Sequence, residues 1–124
     1  LSLPTVHVLS HYHSLDHRVR FTFYQRIGDV GLGIPFNIAS YSFISPWVAK
    51  HCYLEAGDFT YFMGNVHIYD DHIEPLKIQL ENEPYEFPEL EIMENREDID
   101  DYKFEDFKVT NYKFHKAIKM DMRV

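Results

Sequence analysis

From Arg18 to Gln25 the chain reads RVRFTFYQ, and Val19, Phe21 and Phe23 alternate with Arg20, Thr22 and Tyr24. A period of two sends alternate side chains to opposite sides, which predicts a strand with two unlike faces. A weaker strand is predicted over Val6 to Tyr12, and SLDH between the two suits a hairpin connection. GDVGLG, Gly28 to Gly33, has three glycines in six residues and predicts a loop. Pro35 suits the first turn of a helix that runs to about Tyr53, with Pro46 as an internal kink or break. AGD, Ala56 to Asp58, predicts a turn before a strand over Phe59 to Met63. Asp70 or Asp71 is placed to cap a helix reaching about Glu81, with Ile73, Leu76 and Leu80 at helical spacing. PELEIM and DFKVTNY read as later strands. Strands and helices are interspersed without strict alternation, so the expected class is α+β.

Composition narrows this further. A chain of 124 residues suffices for one domain and one modest core. With 45% hydrophobic and 16% aromatic residues it is not a disordered segment. The net charge of -8 argues against a nucleic-acid partner, because a phosphate-backbone binder needs a basic stripe. The acidity gathers in the last third, as in ENREDIDDYKFEDF. Cys52 is the single cysteine, which excludes an internal disulfide and makes a reducing cytoplasm the expected location. No apolar run reaches the length of a membrane span and no signal peptide is evident, so no membrane partner is expected. The chain opens on Leu1 rather than Met, and is expected to be one piece of a longer polypeptide.

Three groups of residues carry candidate chemistry. In YQRIGDVGLGIPFNIASY, Arg26, Asp29 and Asn37 stand among glycines and apolar residues, where polar groups without partners are costly. Arg26 offers a fork to a phosphate or carboxylate, and Asn37 offers one donor and one acceptor to a planar amide edge. The alternative is internal: Arg26 pairs with Asp29 and Asn37 caps the helix. In GNVHIYDDH, His67 and Tyr69 share a strand face and suit a sugar hydroxyl, or are simply a satisfied histidine beside a packed tyrosine. HYHSLDH sets His11, His13 and His17 near Asp16, but the third ligand would come from the turn, and no metal is expected. CxxC, HExxH and P-loop patterns are absent from the sequence. The acidic run Glu94 to Asp101 reads as a solvated face.

QRIGDVGLGIPFNIASY resembles the signature of the thymidylate synthase family. The likeness continues through AGDF, VHIY, DHIEPLKIQLENEP, FEDF and the C-terminal IKMDMRV, and so spans residues 1–124. The resemblance implies a thymidylate synthase-like mixed sheet packed with helices. It also implies that this chain is the C-terminal half of the domain, with the N-terminal half in the same or another chain. The family reaction is reductive methylation of dUMP, with 5,10-methylenetetrahydrofolate as co-substrate. Carried over by position, Arg26 matches a phosphate ligand, and Asn37 matches the uracil-reading amide. His67 and Tyr69 match the ribose contacts. Asp29 matches a residue that meets the pterin and adds its backbone to the pyrimidine site. Leu32, Gly33, Phe36 and the tail ending at Val124 match parts of the folate pocket.

Departures from the family pattern are concentrated where the chemistry would be. Counting back from Gln25 and Arg26 without a gap, the position of the nucleophilic cysteine falls on Val6. A valine cannot add to C6 of a uracil, and loss of a covalent nucleophile costs on the order of several powers of ten in rate. Ile27 stands where the family has a phosphate-donating serine, and Asn65 where it has an acid. The expected protein is therefore a catalytically inactive relative that retains dUMP or folate recognition. A second expectation is an interaction subunit that reuses the family dimer face in a homo- or hetero-oligomer, with Glu94 to Asp106 as an exposed contact surface. A third is catalysis completed by another chain, which would have to supply a thiol where Val6 stands.

Overall fold

β1 (His7–Leu15) and β2 (Arg18–Asp29) form an antiparallel hairpin, and the two residues that turn it, Asp16 and His17, both have positive φ. Two left-handed residues in succession give the turn whose twist matches that of paired strands. A helix, α1 (Gly33–His51), then crosses over to β3 (Glu55–His67), which lies parallel to β2 on its other edge. A 3₁₀ turn at Asp70–His72 leads into α2 (Ile73–Leu80), and β4 (Glu89–Ile92) pairs antiparallel with β5 (Phe107–Thr110) in a second small sheet. A computed structural model describes residues 6–123. The fold is α+β with mixed sheet pairing. No described helix is long and apolar enough to cross a membrane.

The alternation of RVRFTFYQ has its physical counterpart beneath α1. Phe21 and Phe23 are fully buried, and Val19 and Gln25 lie on the same side. Their rings stack with Phe59 and Tyr61 of β3, and Tyr41 of α1 lies on Phe23 at 3.9 Å between centroids. Burying each phenylalanine contributes about 1.5–3 kcal/mol. The opposite face is bare. Leu9, Tyr24 and Phe62 are cross-strand neighbours on β1, β2 and β3, and are 60%, 40% and 54% exposed.

Several element boundaries differ from expectation, each for a reason that involves a distant partner. Gly28 and Asp29 belong to β2 rather than to a loop, because they pair with Val66 and His67 of β3. Gly28 is needed there for closeness: a Cβ would meet Cδ1 of Ile34 at 2.8 Å. Ala56 to Asp58 is a bulge within β3 and not a turn, since Val19 and Phe21 of β2 face Ala56 and Phe59. α1 continues through Pro46 without a break. It begins two residues earlier than expected, with Leu32 at its N-cap, so Asn37 lies inside the helix and does not cap it. Neither Asp70 nor Asp71 caps α2 through its side chain. The helix α1 ends with Tyr53 at φ 56, its N–H bonded to Lys50 and that of Leu54 to Ala49. Glycine usually occupies that left-handed position.

Candidate functional site

The bulge at Val8 sets up one side of the site. His7 pairs with Gln25 while Leu9 pairs with Tyr24, so one extra residue on β1 turns His7 onto the helix-covered face. There its ring meets Phe23 edge-on at 5.2 Å and Tyr41 at 5.5 Å. Its Nδ1 lies 3.0 Å from the Tyr41 hydroxyl and its Nε2 lies 3.4 Å from the Asn37 amide nitrogen. An amide N–H can only donate, so Nε2 accepts and Nδ1–H donates to Tyr41. Asn37 retains one amide N–H and its carbonyl oxygen outside this bond. Burial pushes the Tyr41 hydroxyl above its ordinary value and keeps it neutral. Beneath, the Tyr61 hydroxyl donates to the buried Gln25 carbonyl, and Gln25 donates to the Ile27 carbonyl at 2.6 Å.

Val6 and Arg26 are joined through the backbone, the Arg26 N–H donating to the Val6 carbonyl at 2.9 Å. Arg26 is half-buried and its side chain is engaged in the structure. Three residues further along β2, Asp29 lies opposite His67. The Val30 N–H donates to the His67 carbonyl at 3.0 Å, which locks the two strand ends together. Tyr69 lies just past β3, and its ring meets that of His67 edge-on at 5.0 Å. The Asp29 carboxylate accepts from the Gly31 N–H at 3.0 Å and lies 3.8 Å from Nδ1 of His72. Gly33 opens α1 beside Asp29, where a Cβ would make an ordinary contact at 3.5 Å with Cβ of Asp29.

The structure thus brings together Asp29, Gly33, His67 and Tyr69, and separately His7, Asn37 and Tyr41. Both groups lie where β2 passes into α1. Leu32 is at the N-cap of α1, and Phe36, in its first turns, is 71% exposed. Val124 lies outside the described residues. A groove of about 440 Å³ lies away from these residues, between α2 and the C-terminal segment at His115 to Ile118. Among the described residues, no group of three or more His, Cys, Asp or Glu side chains is placed to hold a metal. The rings of His11 and His13 are 6.4 Å apart.

Sequence reasoning missed His7, Gln25, Tyr41 and His72. His72 had a signal, standing inside the DHIEPLKIQL run, but its partners are far along the chain. His7 had none, because its direction depends on a bulge.

The thymidylate synthase family model matches residues 1–124. The chain belongs to the thymidylate synthase family. It is 47% identical over 124 residues to the human thymidylate synthase, covering all of this chain and 40% of that protein. It is 46% identical to the thymidylate synthase of equine herpesvirus 2, covering 43% of it. Over 122 residues it is 44% identical to the bifunctional dihydrofolate reductase-thymidylate synthase of Plasmodium berghei, covering 98% of this chain and 21% of that protein. The chain therefore spans less than half the length of these thymidylate synthase relatives.

Proposed function

We propose that this chain is the C-terminal half of a thymidylate synthase domain that recognises dUMP, and a reduced folate beside it, without performing the methyl transfer. The observation that carries this reading is the grouping of Asp29, His67 and Tyr69 at one strand end beside the His7–Asn37–Tyr41 set. In this reading Asn37 reads the uracil edge, and Arg26 meets the phosphate with less help than usual because Ile27 offers no hydroxyl. His67 and Tyr69 take the ribose. Asp29 faces the pterin, with Leu32, Gly33 and Phe36 lining the folate side and Val124 closing it. The exposed Phe36 ring and the small Gly33 suit a flat aromatic group. A valine at position 6 has no electron pair to add to the pyrimidine, so the ligand binds without covalent attachment.

The exposure of Phe36 supports a site completed by other polypeptide, either the N-terminal half or a second subunit. α1 points the same way: it is apolar on nearly every side, which suits a helix enclosed by a larger body. The test is calorimetric titration of dUMP into the protein in its native assembly, beside an Asn37→Ala variant. Saturable heat that disappears in Asn37→Ala is expected. An absence of heat at millimolar dUMP overturns the reading.

The second reading is an interaction subunit. Its support is the bare Leu9–Tyr24–Phe62 row, a continuous apolar stripe on a sheet face that the described residues leave uncovered. A chain that gives no heat with dUMP and associates through this face fits that reading.

A further inference from the structure

Past β5 the chain runs from Asn111 to Arg123 in neither helix nor strand, exposed except at the half-buried Ile118 and Met120. A segment outside any sheet ladder is held by a few side-chain bonds and opens at small cost. Here His115 stacks on Tyr85 at 4.4 Å between centroids, and its Nε2 lies 2.8 Å from the Glu83 carbonyl. The Asp121 carbonyl accepts from Nε2 of the buried His72 at 2.7 Å. Met120 lies against Gly31, where a Cβ would stand 3.2 Å from its sulfur. Last, Arg123 closes on the 3₁₀ turn: Nε donates to Oδ2 of Asp71 at 3.0 Å, and Nη2 donates to the same oxygen. The Arg123 fork holds the Asp71 carboxyl below its ordinary value, so the pair stays ionised through the neutral range.

The ground beneath this strap is the loop that fixes Asp29, whose carboxylate accepts from the Gly31 N–H at 3.0 Å. We infer that Asp71 and Arg123 form an ionic latch that holds residues 119–123 across the Gly31 loop and sets how often the surface beside Asp29 is uncovered. An exposed ion pair changes an equilibrium by only about two- to fivefold, which is little against the stability of a whole fold. Against the opening of a strap held by a handful of bonds it is a large share. Both charges are partly exposed, at 49% for Arg123 and 39% for Asp71, so dissolved salt screens the latch. Ionic surroundings thereby set access to this end of β2. The inference rests on the proposed function only in taking Asp29 as a ligand-facing group.

Two readouts follow the strap in the native assembly. Tryptic nicking after Lys116 and Lys119 reports how often it opens, and amide exchange at Gly31 reports whether the loop beneath is uncovered. Asp71→Asn and Arg123→Gln are each expected to raise both rates about threefold. The double variant is expected to go no further, because either substitution already breaks the one pair. Added sodium chloride is expected to speed Gly31 exchange in the native chain and to leave the double variant unchanged. Effects that multiply in the double variant, no effect from either substitution, or an equal salt response in both proteins overturns the inference. So does nicking that rises while Gly31 exchange stays constant, since the strap would then cover nothing. Neither readout uses dUMP or folate, so this proposal and the nucleotide reading fail separately.

Discussion

Phe23 and Asp106 are both buried side chains, and they hold their regions by opposite means. Phe23 belongs to the unit of β1, β2, α1 and β3, where rings stack across the sheet and against Tyr41. Asp106 belongs to the acidic segment between β4 and β5. There its carboxylate accepts from Arg96 Nε at 3.0 Å and from the Lys103 N–H at 2.9 Å, while its backbone bonds to Met93 and Lys103. Glu94, Glu97, Asp98, Asp100, Asp101 and Glu105 are exposed around the buried Asp106 and the half-buried Arg96. Burial of apolar rings is non-directional and loses little to pH; a carboxylate–guanidinium clamp is directional and lasts only while it is ionised. The difference teaches that one small molecule has two independent ways of failing.

The largest expected effect is on the aromatic side. Phe23→Ala removes a ring that touches four others and should destabilise the protein by about 3–5 kcal/mol, read from denaturant midpoints. A loss under about 1 kcal/mol would break the comparison, because stacking would then not hold that unit.

A smaller, pH-bound effect is expected at the clamp. Hydrogen bonds from Arg96, then from the Lys103 N–H, hold the Asp106 carboxyl below its unfolded value of 3.8. Its folded value is depressed, so its stabilisation is complete above the unfolded value and is lost as pH falls through the folded one. Melting temperature should therefore fall with acid below roughly pH 4 in the native chain. Asp106→Asn should start lower at neutrality and show a flatter acid limb. Parallel curves for the two proteins would show that the clamp adds nothing.

The smallest effect is a gain, at the join of α1 and β3. Tyr53 holds a left-handed backbone with an exposed ring, so Tyr53→Gly should stabilise the chain by about 0.5–1 kcal/mol in thermal melts. A loss would mean that the exposed ring makes up for its backbone.

What could be read from the sequence divides along similar lines. The alternation in RVRFTFYQ and the long helix after Pro35 are local signals, and both elements are present. The β-bulge at Gly57 and the strand character of Gly28 and Asp29 are not local: each exists because a strand 37 or more residues away lies alongside. In the site, Asn37, His67 and Tyr69 stand out only through resemblance to the thymidylate synthase signature. Their chemistry alone favours an internal role, a helix cap for Asn37 and a satisfied histidine beside a packed tyrosine for His67 and Tyr69. His72 was illegible because its meaning comes from Asp121, 49 residues on.

The parallel pairing of β2 with β3 has a consequence in time. β1 and β2 are joined by a two-residue turn, whereas Arg18 must find Glu55 across an interval of 37 residues. Short-range closure is fast and long-range parallel pairing is slow, so the hairpin forms first with one edge unfilled. Until α1 has folded over the sheet face and β3 has filled that edge, Phe21 and Phe23 face water. During synthesis this vulnerable interval ends only when the last residues of β3 leave the ribosome, and the length of the crossover sets how long it lasts.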